Sequence, residues 1–127
     1  MARSPEHDIQ SAFFDWARMH PEARRAYAIP NGGKRNLLTA VRLKQEGVRA
    51  GVLDVCLPLP RGGAAGLYIE FKAGRNTLSS DQAIEASQLV QDGYAVAVCW
   101  SAMDAIDTVL RYLAGDIGPC LAVLRGG

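Results

Sequence analysis

The chain has 127 residues, of which 49% are hydrophobic, and its formal net charge is +1 at pH 7. This length and composition predict one globular domain with a modest core and exclude a disordered protein. The apolar runs are much shorter than the roughly 18 residues that a transmembrane helix needs, and the N-terminal segment lacks the hydrophobic stretch of a secretion signal. We therefore expect a single cytoplasmic domain over residues 1–127 that makes no membrane contact.

The predicted first helix places one carboxylate in an unusual position. Ser4 is a preferred N-cap residue and Pro5 suits the first helical position, and the helix is expected to run to about Met19. At about 100° per residue, Glu6 falls in the middle of the apolar stripe, one turn before Gln10. A buried carboxylate is costly unless it is paired or coordinated. The alternative is a frayed first-turn residue that the helix N-terminus favours.

Strands and helices alternate along the rest of the chain. The patterns predict, in order, a strand over 24–30, a helix over 37–46, strands over 52–60 and 67–72, a helix from 78 to 93, a strand over 94–100 and a helix from 101 to 115. The segment 120–124 is a candidate for one more strand. The order α-β-α-β-β-α-β-α, with or without this last strand, predicts a single α/β domain with a mixed sheet.

Two helices have apolar residues at helical spacing that we expect to face inward. They are Leu37, Leu38, Val41 and Leu43 in the second helix and Met103, Ile106, Val109, Leu110 and Leu113 in the last. Three widely spaced cysteines, Cys56, Cys99 and Cys120, form no Cys-x-x-Cys pair. We interpret them as reduced core thiols, and we expect His7 and His20 to lie at the surface without binding zinc.

Positive charge is concentrated in the first half of the chain. Residues 1–50 contain nine Lys and Arg against five Asp and Glu, whereas residues 51–127 contain five against eight. Within 18–49 only Glu22 and Glu46 oppose the basic residues, which are Arg18, Arg24, Arg25, Lys34, Arg35, Arg42, Lys44 and Arg49. This excess fits contact with phosphate, although a solvated basic surface would have the same composition.

The predicted hairpin brings two carboxylates together. Asp54 lies in an apolar strand and Glu70 in the returning strand, and a hairpin centred on Gly62 places them opposite each other. Opposed side chains lie about 5 Å apart at Cβ, so the two charges repel unless a cation such as Mg²⁺ binds both. Lys72 lies one step along the same face, where it could orient or deprotonate a water or neutralise a phosphoryl group. The alternative is a solvated outer face with a weak ion pair.

These residues resemble a known family. Asp54, followed at a distance by Glu70-x-Lys72, matches the pattern of the PD-(D/E)XK nuclease superfamily. The flanking segments EHDIQ (6–10), GVRAGVLD (47–54), IEFKAG (69–74) and LSSDQ (78–82) resemble its VRR-Nuc branch, the virus-type replication and repair nucleases. The resemblance extends from residue 6 to about residue 100 and implies a restriction-endonuclease-like fold, in a stand-alone phage or prophage form. Leu53 departs from the pattern, which usually has proline there.

The resemblance also implies roles for individual residues. Asp54 and Glu70 would bind the metal with the backbone carbonyl of Phe71, and Lys72 would be the catalytic lysine. The further members of the implied site are Glu6 as the helix-borne acid, Gln82 as the glutamine that follows the core motif and Gln10 in a supporting position. Ser79 and Gln82 also have the spacing of a capping box, which is an alternative role for Gln82 that does not exclude the first.

For DNA contact, the turn PNGGKR (30–35) could offer backbone N–H groups together with Lys34 and Arg35 to a phosphate, or it could be a solvated turn. Arg25 and Arg49 are further candidates. The resemblance implies a Mg²⁺- or Mn²⁺-dependent endonuclease that cuts branched DNA such as four-way junctions, acts as a homodimer and leaves a 5′-phosphate. The alternative is a non-catalytic DNA-binding or assembly module, against which the intact Asp54, Glu70 and Lys72 argue. A two-carboxylate glycosidase fits poorly, because Lys72 would have no role and no aromatic sugar platform lies near the carboxylates.

Overall fold

The computed structural model describes residues 4–30 and 37–125. The elements in chain order are α1 (Pro5–Ala17), a 3-10 helix (Ala23–Arg25), β1 (Tyr27–Ala28), α2 (Leu37–Gln45), β2 (Val55–Leu57), β3 (Leu67–Phe71), α3 (Ser80–Gln91), β4 (Ala95–Cys99), α4 (Ala102–Leu113) and β5 (Leu121–Leu124). The predicted order is confirmed, and the segment near residue 120 does form a last strand. Within these ranges, no helix is long and apolar enough to cross a membrane.

The five strands form one mixed sheet in the order β1-β2-β3-β4-β5. The first three strands pair antiparallel, and β3, β4 and β5 pair parallel. In the β2–β3 hairpin, Val55 pairs with Ile69 and Leu57 pairs with Leu67. This is the predicted register, and one step further it sets Asp54 opposite Glu70.

Helices cover both faces of the sheet. Helices α1 and α4 pack on one face around a core whose largest buried members are Phe13, Val55, Leu57, Leu67, Ile69, Phe71, Val109 and Tyr112. Helix α3 covers the other face through a smaller cluster of Leu53, Ala86, Leu89 and Val96. All five residues of β4 are buried, as expected for a central strand of a sheet covered on both sides.

The first two strands are shorter than predicted. Residues 23–25 form a 3-10 turn instead of entering β1, and β2 ends at Leu57. Pro58 and Pro60 follow β2, and proline cannot donate a hydrogen bond to a neighbouring strand. Asp54 consequently lies just before β2, at the edge of the regular pairing.

Several predictions of inward-facing residues are wrong. Leu38 and Val41 of α2 are 83% and 47% exposed, and Met103 and Leu110 of α4 are 72% and 45% exposed. Cys120 is also exposed, whereas the other two cysteines are buried. The inward placement of Val109, Ile106 and Leu113 is confirmed, and Leu43 is partly buried. The Leu37 side chain lies outside the described residues. Helical periodicity identifies an apolar stripe, but which part of the stripe is covered depends on where the neighbouring helices and strands end.

Two local features define where α1 begins and how closely the chain before β2 packs against α3. The Ser4 hydroxyl oxygen accepts a hydrogen bond from the His7 N–H at 3.0 Å, which confirms the predicted start of α1. Gly51 has a φ of +91°, and a Cβ at this position would lie 2.9 Å from the Asp81 carbonyl oxygen. Only glycine allows the chain to pass this close to the first turn of α3, so Asp54 enters the sheet beside that turn.

Candidate active site

Strand β3 carries Glu70 and Lys72 to the face of the sheet that α3 covers. Ile69 and Phe71 point into the core beneath α1 and α4, and side chains alternate along a strand. Glu70 and Lys72 are only 2% and 8% exposed. The solvated outer face that the sequence also allowed is therefore excluded.

Gln82 joins these two side chains. Its Oε1 accepts a hydrogen bond from Lys72 Nζ at 2.9 Å, and its Nε2 donates to Glu70 Oε2 at 3.1 Å. Lys72 Nζ lies 3.4 Å from the same Glu70 oxygen. The three side chains thus form a closed triangle, in which Glu70 and Lys72 are buried and Gln82 is half-buried, and the orientation of the Gln82 amide is set by its partners.

Gln82 also caps α3. Its Oε1 accepts a second hydrogen bond from the Ser79 N–H at 3.0 Å, and its own N–H donates to Ser79 Oγ at 3.1 Å. This is a complete capping box. The two roles considered for Gln82 from the sequence are therefore combined in one side chain.

Asp54 borders this group from the neighbouring strand. Its Oδ2 accepts a hydrogen bond from the Phe71 N–H at 2.8 Å, across the hairpin. Burial is the largest influence on its carboxyl group and raises the pKa of Asp54, although the Phe71 hydrogen bond and the Lys72 charge act against this rise. The ionised form of Asp54 is therefore less stable in this site than it would be in water.

Glu70 is more strongly affected. Burial, and secondly the charge of Asp54, raise the pKa of Glu70 to about 8. Its second oxygen, Oε1, is buried and has no hydrogen-bond partner among the described residues. A buried carboxylate oxygen without a partner, beside a second carboxylate, is a suitable ligand for a hard divalent cation, which prefers oxygen. The donor set of Asp54 and Glu70 therefore fits Mg²⁺ or Mn²⁺.

Glu6 lies at the edge of the site. It is partly exposed, and its Oε2 accepts a hydrogen bond from Asn76 Nδ2 at 3.2 Å. Its negative charge adds to the rise in the pKa of Asp54 that burial causes. Within 4–30 and 37–125, no three His, Cys, Asp or Glu side chains are grouped closely enough to hold a metal. The structure therefore brings together Asp54 and Glu70 and leaves Glu6 beside them.

The loop after Lys72 contains Asn76, which was not predicted from the sequence to belong to the site. Asn76 contacts Glu6, and its carbonyl oxygen accepts a hydrogen bond from Trp100 Nε1 at 3.0 Å. The guanidinium of Arg125 lies 4.8 Å from the centre of the Trp100 ring and donates to the Gly74 carbonyl oxygen at 3.1 Å. The ends of β4 and β5 thus fasten the loop that carries Asn76. A polar residue soon after the Glu-x-Lys pattern was the one available signal.

The residues predicted to support the site or to bind DNA do not join the group formed by Asp54, Glu70, Lys72 and Gln82. Gln10 lines the same cleft as Glu6 and Asp54, but its side chain makes no hydrogen bond with the described residues. Arg25 is exposed, and Arg49 forms an ion pair with Glu85 at 2.9 Å. Lys34 and Arg35 lie outside the described residues.

The central hairpin of the mixed sheet thus sets two opposed carboxylates beside a buried lysine. The VRR-NUC domain model matches residues 1–103. The chain belongs to the VRR-NUC family, and it has the nuclease-type, DNA-processing function that this domain implies. A solved structure described as a VRR_NUC domain protein has a similar fold, with a TM-score of 0.74, 23% identity, and coverage of 87% of this chain and 88% of the other. A search of the curated proteins gave no significant match.

Proposed function

We propose that the protein is a metal-dependent, structure-selective DNA endonuclease that hydrolyses phosphodiester bonds in branched DNA such as four-way junctions. The observation that supports this most is the hydrogen-bonded triangle of buried Glu70, buried Lys72 and half-buried Gln82 beside Asp54. Two carboxylates of raised pKa and a lysine are costly to bury in a purely structural role. Perturbed groups of this kind cluster at functional sites.

Asp54 and Glu70 would hold the cation, with the Phe71 carbonyl oxygen as a further ligand and Glu6 acting through a water. A divalent cation at this position would stabilise negative charge on the scissile phosphate as a Lewis acid. Lys72 keeps its ammonium group in a fixed position through Gln82 Oε1, 2.9 Å away. From there it donates a hydrogen bond to a phosphate oxygen or to the attacking water, and Gln82 keeps it from folding fully onto Glu70.

The finer parts of the proposal come from the family resemblance. Four-way junctions need two symmetric cuts, which favours a homodimer with two sites. We also propose that the protein is of bacteriophage or prophage origin and acts in DNA repair in the bacterial cytoplasm. Light scattering across a range of protein concentrations would test the dimer.

A cleavage panel tests the activity. Labelled perfect duplex, flap, fork and four-way-junction DNA would be incubated with Mg²⁺, Mn²⁺ or EDTA. The proposal predicts cleavage of branched substrates with either metal, no cleavage in EDTA, and products with a 5′-phosphate. Binding of all substrates without any cleavage would instead favour the non-catalytic DNA-binding module.

A further inference from the structure

A cleft of about 830 Å³ leads away from the candidate active site. One wall is α1 and the other is the segment from Arg24 to Ala28. At the acidic end, Asp54 and Glu6 both line the cleft, and the Ile29 N–H donates to the Asp54 carbonyl oxygen at 2.7 Å. The cleft is thus continuous with the site.

The other end of the cleft contains two arginines and one carboxylate, Asp15. Arg18, at the end of α1, follows Glu6 by twelve residues, which corresponds to about 18 Å of helix. Arg24 lies at the matching end of the opposite wall, four residues before Ala28. Both walls therefore run from carboxylates beside the reacting centre to a guanidinium at the far end.

Neither guanidinium group is held by a strong ion pair within the described part of the chain, although that of Arg18 lies over the Phe14 ring, 5.7 Å from its centre. The Arg18–Asp15 ion pair is long, at 3.6 Å, and both side chains are largely exposed, so it is weak. No carboxylate of the described part of the chain pairs with Arg24. Arg49, in contrast, is engaged by Glu85. The cleft therefore contains charges that a phosphate can neutralise.

The middle of the cleft has groups suited to a nucleobase. The partly exposed ring of Phe14 lines it, and His7, Gln10 and Ser11 contribute donors and acceptors. Aromatic faces stack on unpaired bases of any sequence, and guanidinium groups follow the backbone. The volume of the cleft lies within the roughly 300–1,000 Å³ of small-molecule sites, which suits one or two nucleotides.

We infer that this cleft binds one or two unpaired nucleotides of the cleaved strand, with a phosphate at Arg24 and Arg18 and a base on Phe14. This inference rests on the proposed function and supplies the reason for its structure selectivity. Branched DNA would be preferred because it presents an unpaired strand beside the scissile phosphate. A perfect duplex must first unstack a nucleotide to fill the cleft, which lowers its affinity.

Anisotropy binding in EDTA tests the inference without relying on cleavage. The probes are a perfect duplex and the same duplex with a short bulge of unpaired nucleotides. The parent should bind the bulged duplex at least about tenfold more tightly, and Arg24→Ala should remove most of this preference. The salt slope on the bulged probe should also become shallower by about 0.7, the value for one contact with a single strand. Arg111→Ala, which removes an exposed arginine of α4 outside the cleft, is the matched control and should change neither quantity.

Phe14→Leu gives a second test that keeps most of the packing of this side chain against Phe13. It should lower affinity for the bulged probe several-fold and leave affinity for the duplex unchanged. Equal affinity of the parent for both probes, or an equal loss on both probes in Arg24→Ala, would overturn the inference. Metal-dependent cleavage together with that result would leave the proposed function in place. A strong bulge preference without cleavage on any substrate would retain the cleft and reject the nuclease.

Discussion

Glu70 and Glu6 are two carboxylates of one site in contrasting surroundings. Glu70 is 2% exposed, contacts Lys72 and Gln82, and has a pKa of about 8. Glu6 is partly exposed and is held by one hydrogen bond from Asn76. Burial fixes the position of Glu70 and makes its charge costly, whereas Glu6 can move at little cost. We therefore expect substitution of Glu70 to affect activity much more than substitution of Glu6.

The largest expected effect is that of Glu70→Gln. The amide keeps the volume and one hydrogen bond but removes a charged ligand, so turnover should fall at least about a hundredfold. The fold should be retained, as circular dichroism and gel filtration would show. Intact activity combined with a clear loss of metal-free stability would mean that Glu70 is structural.

The same variant tests the raised pKa of Glu70. Between about pH 4.5 and pH 8, the folded protein keeps the Glu70 proton that the unfolded chain releases. The folded state then binds more protons, so the free energy of unfolding should fall as the pH rises through this window and level off above it. Glu70→Gln should flatten this decline in urea unfolding experiments in EDTA. Parallel curves for variant and parent would contradict the raised pKa.

The second expected effect is that of Lys72→Ala, which should lower turnover about a hundredfold and change DNA affinity little. Lys72 supplies one positive charge, and the loss of one phosphate contact changes the salt slope on duplex DNA by only about 0.9. Single-turnover cleavage and anisotropy binding separate the two quantities. A variant that binds many-fold more weakly but cleaves normally once bound would make Lys72 a binding residue.

The third effect separates the two roles of Gln82. Ser79→Ala removes the cap and should cost about 1 kcal/mol of stability without changing the rate of cleavage at saturating DNA. Gln82→Ala should cost a similar amount and also lower that rate about tenfold, because Lys72 and Glu70 lose the amide between them. Equal rates for both variants would show that Gln82 acts only as a cap.

The smallest effect concerns Glu6. Glu6→Gln should raise the Mg²⁺ concentration needed for half-maximal cleavage several-fold, and Asn76→Ala should have the same effect more weakly, because Asn76 holds the Glu6 carboxylate. Asp8→Asn, an exposed position in the same helical turn, is the control. Superimposable magnesium titrations of these proteins and the parent would reduce Glu6 to a helix-start residue.

The fold was predictable from the sequence where the signals were local. Ser4 and Ser79 marked helix starts, and the glycine turn at Gly62 fixed the register that sets Asp54 opposite Glu70. The covered faces of α2 and α4 were not predictable at Leu38 and Met103, because burial there depends on the ends of distant elements.

The residues of the candidate site were likewise predictable where the signal was local, and not where it depended on distant parts of the chain. Glu70 and Lys72 were identified because charges in an apolar strand are costly, and the structure buries both. The contact between Glu6 and Asn76 joins residues 70 positions apart, and no local pattern reports such a contact. Its supports, Trp100 and Arg125, directly follow β4 and β5, which meet the loop only in the folded sheet.

The double role of Gln82 restricts what this position can become. Asparagine has a shorter side chain and could not both close the first turn of α3 and reach Glu70 and Lys72. Glutamate could complete the capping box, but it would add a third negative charge beside Asp54 and Glu70. The start of the helix and the geometry of the site therefore share one amino acid. A substitution of Gln82 that favours the cap of α3 alone would disturb the contacts with Glu70 and Lys72, and the reverse also holds.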